Sequence, residues 1–213
     1  MREPTAKRKE KFKSVAARRQ LDVAIILENI TDMHNSAAVM RTCDAVGISR
    51  IFLLNTDESL KHKNYTVGKR TASGSRKWVE LSYYTDSAAC FKEVRKYCDK
   101  IYATHLNSDS IGLYDCDFTS SCALIFGNEK DGITEETLAY ADQNFVIPMH
   151  GMVQSLNISV ACAVTLYELQ RQRLREGKYS HSDLPTASHQ ELYQNYLDRH
   201  QKQNYNKKVE RKG

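Results

Sequence analysis

Three stretches of the chain join the end of a predicted strand to polar residues that a hydrophobic core does not need. HNSAAVMRTCDAVG carries Asn35 and Arg41, LIFGNEKDG carries Glu129, and IPMHGMVQSLNISVA carries Ser155 and Asn157. In an α/β sheet, a loop that follows a strand is the usual place to bind a small ligand. These five side chains are therefore the first candidates for ligand binding and chemistry.

The third stretch passes from strand to loop to helix without a spacer. Residues 145–147 are apolar and predict a short buried strand, which Pro148 ends because proline cannot donate to a central β-ladder. A helix is predicted from Leu156, with Ser155 as its N-cap. The predicted apolar face of that helix consists of Leu156, Val160, Val164 and Tyr167.

The type of ligand follows from the groups that the loops contain and lack. The chain has no G-x-G-x-x-G and no G-x-x-x-x-G-K-[ST], the two glycine-rich patterns that hold phosphates. The third loop instead offers backbone groups, Met149, Met152 and small polar side chains. This composition favours an uncharged heterocycle such as an adenosine over a pyrophosphate, although a plain strand-to-helix connection would also produce it.

The remaining elements must position these loops. Strands are predicted at 23–27 and 51–54, and between them lies a helix with Asn35 as N-cap and Gly47 at its end. This strand–helix–strand opening indicates a parallel sheet. Further strands are predicted at 78–81, 101–106 and 123–126, and further helices at 4–19, 86–98 and 189–205.

Composition limits the class of protein. A length of 213 residues suits one α/β domain with extensions, and the apolar content of 41% is ordinary for a globular protein. No apolar run approaches a membrane span or a signal-peptide core, so we expect a cytoplasmic protein without a membrane partner. The six cysteines form no C-x-x-C pattern, which favours reduced thiols over a metal site.

Charge is distributed unevenly along the chain. Residues 1–20 have a net charge of +6, residues 171–213 have +5, and the body between them has −6. Two basic ends indicate a polyanion such as RNA or DNA, although solvated helix faces are the simpler alternative. The candidates for phosphate contacts are Arg8, Lys11, Arg18 and Arg19 near the start, Lys69, Arg70, Arg76 and Lys77 in the middle, and Arg171 and Arg173 near the end.

Together, in this order and at these separations, the three stretches resemble the three motifs of the SPOUT superfamily of RNA methyltransferases, and within it the TrmH family of tRNA guanosine 2′-O-methyltransferases. The resemblance implies an α/β fold, a mostly parallel sheet with helices on both faces and a C-terminal trefoil knot. It divides the chain into a basic N-terminal helical extension (1–20), a methyltransferase domain (21–175) and a basic C-terminal tail (176–213). It also implies a homodimer that methylates the ribose of the D-loop guanosine 18 of tRNA.

The resemblance assigns roles to individual residues. S-adenosylmethionine (AdoMet) is the implied methyl donor, and its expected pocket residues are Thr104, Gly127, Ile147, Met149 and Leu156. Arg41 is expected to act on the ribose 2′-hydroxyl, with Asn35 holding Arg41 or the ribose. Glu129, Ser155 and Asn157 are expected to support substrate and cofactor.

Two alternatives remain open for how the proton is removed from the 2′-hydroxyl. A guanidinium is not normally deprotonated in proteins, so Arg41 would need help from a substrate phosphate to act as a base. In the less demanding version, Arg41 stabilises the developing alkoxide while phosphate or water removes the proton. Methylation of ribosomal RNA or a tRNA pyrimidine, or RNA binding without catalysis, are the competing functions.

Overall fold

The computed structural model describes residues 3–61 and 74–201. Its strands are β1 (Gln20–Glu28), β2 (Ile48–Leu54), β3 (Glu80–Tyr84), β4 (Lys100–Thr104), β5 (Ile111–Gly112), β6 (Cys122–Phe126) and β7 (Gln143–Val146). Its α-helices are α1 (Ala6–Ala17), α2 (Met33–Val46), α3 (Glu58–Lys61), α4 (Ser87–Val94), α5 (Glu135–Leu138), α6 (Ile158–Arg175) and α7 (Ala187–Gln201). Short 3₁₀ turns cover Ser75–Lys77 and Leu113–Asp115.

The seven strands form one sheet in the order β3-β2-β1-β6-β4-β7-β5, and every paired strand is parallel to its neighbour. The predicted parallel sheet is therefore confirmed. Because all strands run the same way, their carboxyl ends lie at one edge of the sheet. β6 lies between β1 and β4, so the loop after β6 emerges beside the loops after those two strands. The C-terminal knot stays a prediction.

Helices cover both faces of the sheet, as the family resemblance implies. Alternate residues of β1 enter different cores, since successive side chains of a strand point to opposite faces. Val23, Ile25 and Leu27 pack in the core that contains α2 and α6, whereas Ala24 and Ile26 pack in the core that contains α4. All five of these side chains are buried.

The two helices that carry the candidate site begin at other residues than predicted. Asp32, rather than Asn35, is the N-cap of α2, and its side chain accepts from the backbone N–H of His34. Gly47 ends this helix with φ +86°, as predicted. The α6 helix begins at Ile158, and its N-cap is Asn157 rather than Ser155.

The later start of α6 changes the face that it buries. Ile158, Cys162, Leu166 and Leu169 are buried at helical spacing, and they join the core with α2. The predicted face is wrong for Val160 and Tyr167, whose exposed fractions are 46% and 56%. Val164 is partly buried against the core.

The first and last described helices pack against each other. Phe12 and Ala16 of α1 form a small buried cluster with Tyr196 of α7. Trp78 joins this cluster, with its ring 5.2 Å from Phe12 and 5.0 Å from Tyr196. Because Trp78 packs here after a 3₁₀ turn, the third strand begins at Glu80 and runs to Tyr84 instead of covering 78–81.

Among residues 3–61 and 74–201, no helix is long and apolar enough to cross a membrane. The same residues contain no group of three or more His, Cys, Asp or Glu side chains that could hold a metal ion. The predicted boundaries at residues 20/21 and 175/176 lie close to the ends of α1 and α6. The division into three segments stays a prediction.

Candidate active site

The three motifs meet at the carboxyl edge of the sheet. Asn35, in the first turn of α2, donates from Nδ2 to Oε1 of Glu129, which lies in the loop after β6. Asn157, at the start of α6, donates from Nδ2 to Oδ1 of Asn35 at 3.1 Å. One residue from each motif therefore belongs to a single hydrogen-bonded chain.

Asn157 uses both ends of its amide. Its Oδ1 accepts from the backbone N–H of Ser159 at 2.9 Å and from the Ser159 hydroxyl at 2.6 Å, so it caps α6. Asn157 therefore stabilises the helix directly, because an N-cap satisfies backbone donors that have no partner within the helix. Ser155 is exposed in the preceding loop and is not part of this hydrogen-bonded chain.

Glu129 is presented by a tight loop that depends on Gly127. Asn128 and Gly132 exchange backbone hydrogen bonds of 2.9 Å across the loop. A Cβ added at Gly127 would lie 2.2 Å from the carbonyl oxygen of Gly132 and 2.5 Å from the nitrogen of Ile133. These neighbours are backbone atoms that cannot move aside, so the loop requires glycine at this position.

Arg41 is exposed on α2. It lies about 9 Å from Asn35 along the helix axis, given a rise of about 1.5 Å per residue. Within the described part of the chain, no side-chain hydrogen bond or ion pair involves Arg41. The structure therefore brings Asn35, Glu129 and Asn157 together, whereas Arg41 is available to a ligand.

The expected AdoMet residues follow three neighbouring strands. Thr104 ends β4, Gly127 follows β6, and Ile147 follows β7. The hydroxyl of Thr104 donates to the carbonyl of Ile125 at 3.0 Å and so ties β4 to β6. Backbone groups of residues 148–156 make no backbone hydrogen bond within the described ranges, which leaves them available to an adenosine. This donor set fits AdoMet.

Two of the arginines expected to contact RNA are buried, and their assignment is corrected. The exposed fraction of Arg19 is 2%, and its guanidinium donates to Tyr196 Oη at 3.0 Å and pairs with Asp44. The exposed fraction of Arg173 is 0%, and it binds both carboxylate oxygens of Asp22 at 2.7 and 3.1 Å. Both charges are neutralised within the chain, and neither side chain reaches the surface.

The other basic candidates occupy different settings. Arg8, Lys11 and Arg18 are exposed on or beside α1. Arg171 is partly exposed and paired with Glu168 at 2.6 Å. Arg76 and Lys77 are partly buried in the turn before β3. Lys69 and Arg70 lie outside the described residues.

A polar pair at the end of β1, Glu28 as the last residue of the strand and Asn29 directly after it, was missed in the sequence. Glu28 is fully buried and accepts from the hydroxyls of Thr134 and Thr137 at 2.6 Å, and from the backbone N–H of Thr134 at 3.0 Å. Asn29 has φ +52°, a left-handed conformation that few non-glycine residues adopt. The signal was present, since both polar residues directly follow the apolar run at 23–27.

The cysteines offer no nucleophile. All six are free and buried. Burial raises the pKa of Cys90 and of Cys98 to about 12, so these thiols stay protonated at neutral pH.

Comparison with known proteins shows the family. Residues 22–167 match the SpoU rRNA Methylase family. The tRNA (guanosine(18)-2′-O)-methyltransferase of Thermus thermophilus is 41% identical over 197 residues, which are 92% of this chain and 99% of that protein. The A. aeolicus TrmH/SpoU tRNA modifying enzyme superimposes with a TM-score of 0.80 at 33% identity, covering 90% of this chain and 95% of that one. The AdoMet-bound rRNA methyltransferase of Sinorhizobium meliloti superimposes with a TM-score of 0.59 at 27% identity, and the match covers 70% of this chain and 56% of that one. The chain belongs to the SpoU methylase family, and within it to the TrmH branch of RNA methyltransferases.

Proposed function

We propose that this protein transfers a methyl group from AdoMet to the ribose 2′-hydroxyl of guanosine 18 in the D-loop of tRNA. The observation that carries the proposal is the hydrogen-bonded chain of Asn157, Asn35 and Glu129 at the carboxyl edge of the sheet. The relative from Thermus thermophilus is named for this reaction and is similar over nearly its whole length.

The residues around this chain must hold the acceptor ribose. AdoMet supplies a methyl group on a sulfonium, which is already a good electrophile, so the protein has mainly to align the hydroxyl and manage one proton. We assign Arg41 to the developing alkoxide, because a guanidinium stabilises negative charge without giving up its proton. Asn35 and Glu129 orient the ribose, and phosphate or water removes the proton.

The cofactor belongs beside this chain. We assign its adenosine to the backbone groups of Thr104, Gly127, Ile147, Met149 and Leu156. Thr104, Gly127 and Ile147 lie at neighbouring strand ends, and Met149 and Leu156 lie in the segment that makes no backbone hydrogen bond with any described residue. Ser155, in the same exposed segment, is assigned to support of the substrate.

Basic residues that are exposed or only partly buried are assigned to tRNA. Arg8, Lys11 and Arg18 provide positive charge on or beside α1, with Arg76 and Lys77 in the turn before β3. Such contacts bind the phosphate backbone and carry no sequence information, so they dock the tRNA without choosing the nucleotide. A tRNA substrate also implies a reaction in the cytoplasm.

A homodimer is supported by an exposed apolar stripe on α6. Val160, Tyr167 and Leu174 are spaced by about two turns and have exposed fractions of 46%, 56% and 54%. Met152 and Val153, in the loop before the helix, are also exposed. Large apolar side chains exposed in a row along one helix are typical of a protein interface. Sedimentation of the wild type and of Tyr167→Glu tests it, since the charge should yield monomers.

The function is tested by methyl transfer from labelled AdoMet to an unmodified tRNA transcript. Arg41→Ala and a transcript without the D-loop guanosine are run in parallel. Incorporation that disappears in both controls supports the methyltransferase activity, the D-loop guanosine as its target and Arg41 as a residue that the reaction needs. Incorporation into ribosomal RNA but not tRNA would replace the proposed substrate, because the matched family is named for rRNA methylation.

A further inference from the structure

A cleft of about 410 Å³ lies at the carboxyl ends of β1, β2 and β6. Residues that line it include Asn29, Thr31, Thr56, Asn128, Asp131 and Glu136. Its size is within the range of about 300–1,000 Å³ that small-molecule sites occupy. It adjoins the candidate active site, because Asn128 lines it and the next residue, Glu129, binds Asn35. No group of the proposed mechanism lines this cleft.

The floor of the cleft is fixed by Asn29. Its Oδ1 accepts from the backbone N–H groups of Thr56 and Asp57 at 2.9 and 3.1 Å, and its Nδ2 donates to the Thr56 hydroxyl at 2.9 Å. Asn128 donates from Nδ2 to the backbone carbonyl of Asn29 at 2.8 Å. These bonds join the loops after β1, β2 and β6 and hold Asn29 at its positive φ. The cleft is therefore preformed.

The lining favours a ligand that donates hydrogen bonds. Asp131 and Glu136 are exposed, and within the described ranges neither carboxylate has a hydrogen bond or an ion pair. None of the described residues that line the cleft is basic, so the site does not suit a phosphate. Carboxylates accept hydrogen bonds and do not donate them when ionised.

We propose that this cleft binds the guanine base of the nucleotide whose ribose is methylated, an inference that rests on the proposed function. The Watson–Crick edge of guanine presents two adjacent donors, N1–H and the N2 amino group, which match the carboxylates of Asp131 and Glu136. Adenine has an acceptor at N1, and uracil has no amino group. Proteins commonly read single-stranded bases by hydrogen bonds to this edge.

The arrangement assigns two tasks to one loop. Glu129 binds Asn35, which is assigned to the ribose. Asn128, Asp131 and Gly132 of the same loop line the base cleft. A guanine in the cleft would bring its own ribose toward Asn35, and the choice of base would be made where the reacting hydroxyl is positioned. Asp131 and Glu136 are therefore specificity residues.

The test compares transcripts that carry guanosine, inosine or adenosine at the target position. Inosine keeps N1–H but lacks the N2 amino group. The wild type should have a kcat/KM for guanosine on the order of 10- to 100-fold above that for inosine, the effect of one hydrogen bond to a charged group. In the double variant Asp131→Ala/Glu136→Ala, the two transcripts should differ by less than about threefold. Glu135→Ala removes a neighbouring carboxylate that does not line the cleft and should retain the wild-type ratio.

Each outcome separates the two proposals. Methyl transfer with an unchanged guanosine-to-inosine ratio in the double variant overturns the guanine cleft and leaves the proposed function intact. A wild type that methylates no tRNA transcript overturns the proposed function. Binding of guanosine 5′-monophosphate and inosine 5′-monophosphate needs no turnover: the wild type should prefer the first, and the double variant should not. Equal affinity of the wild type for the two nucleotides overturns the proposal that the cleft binds guanine, even if the double variant is inactive.

Discussion

Asn157 donates a hydrogen bond to Asn35 at 3.1 Å although 122 residues separate them in sequence. Asn35 donates in turn to Glu129, so its amide is both an acceptor and a donor. An amide bonded at both ends cannot rotate without breaking a bond, and such chains rigidify a site. Substitutions here should therefore change the geometry of the site.

Arg41→Ala should lower kcat by about 10²- to 10³-fold, the usual effect of removing one group that stabilises a developing negative charge. AdoMet binding, followed by calorimetry, should not change, because Arg41 is exposed and bonded to no described residue. Arg41→Lys should recover only part of the rate, since ammonium is a point charge without the planar fork. Wild-type kcat in Arg41→Ala would contradict the assignment.

The two functions of Asn157 can be separated. Asn157→Asp keeps an oxygen to cap α6 but loses the donor to Asn35, whereas Asn157→Ala loses both. We expect both variants to lose methyl transfer, and only Asn157→Ala to lose about 1 kcal/mol of unfolding free energy. Denaturant unfolding and a methylation assay measure the two effects. Full activity in Asn157→Asp would show that the bond to Asn35 is dispensable.

Gly127→Ala should disrupt the loop that presents Glu129, because the new Cβ would meet the backbone of Gly132 and Ile133 at 2.2 to 2.5 Å. We expect a lower unfolding temperature and weaker AdoMet binding. Gly151→Ala is the matched stability control, since no atom of the described residues lies within 4 Å of its added Cβ. Equal unfolding temperatures for the two variants would argue against a strained loop.

Arg173→Ala should destabilise the fold by on the order of 3 kcal/mol, because it leaves several acceptors of a fully buried guanidinium without their donor. Arg171→Ala removes a neighbouring, partly exposed arginine whose pair with Glu168 should contribute about 0.5 kcal/mol. Thermal unfolding of both variants makes the comparison. Similar losses in the two would contradict the structural assignment of Arg173.

Neutralising Arg8, Lys11 and Arg18 together with glutamine should weaken tRNA binding. The plot of log binding constant against log salt concentration should also become less steep, by about 0.7 to 0.9 in slope for each phosphate that is no longer neutralised. Lys92→Gln, an exposed residue of α4, is the control that should leave the binding unchanged. An unaltered salt slope in the triple variant would exclude α1 from the RNA surface. Deleting residues 1–19 is a poorer test, because it also removes the buried Phe12 and Arg19.

The central strands could be predicted from the sequence because they are buried on both faces and appear as continuous apolar runs. The runs at 23–27, 51–54 and 123–126 all fall within observed strands. The helix starts could not be predicted as well. Asp32 and Asn35 are both good caps within one turn, as are Ser155 and Asn157, and the choice depends on contacts with other elements.

The site was less predictable from its residues alone. The contact of Asn35 with Glu129 spans 94 residues, and no local pattern indicates it; the three motifs were linked by family resemblance. The prediction that Arg19 and Arg173 contact RNA was wrong because arginine is usually exposed, and because their partners Asp44 and Asp22 are distant in sequence. The cleft beside Asn29 depends on backbone geometry.

The contact between Arg19 and Tyr196 has a consequence for biosynthesis. Arg19 also pairs with Asp44 of α2, three residues beyond Arg41, so α7 helps to cover a charge that borders the helix of Arg41. A ribosome would release that helix long after α2 has emerged. Until then Arg19 would lack its tyrosine partner, and a prematurely terminated chain would keep that defect. The buried pairing of Arg19 is therefore complete only in a polypeptide that has been synthesised through Tyr196.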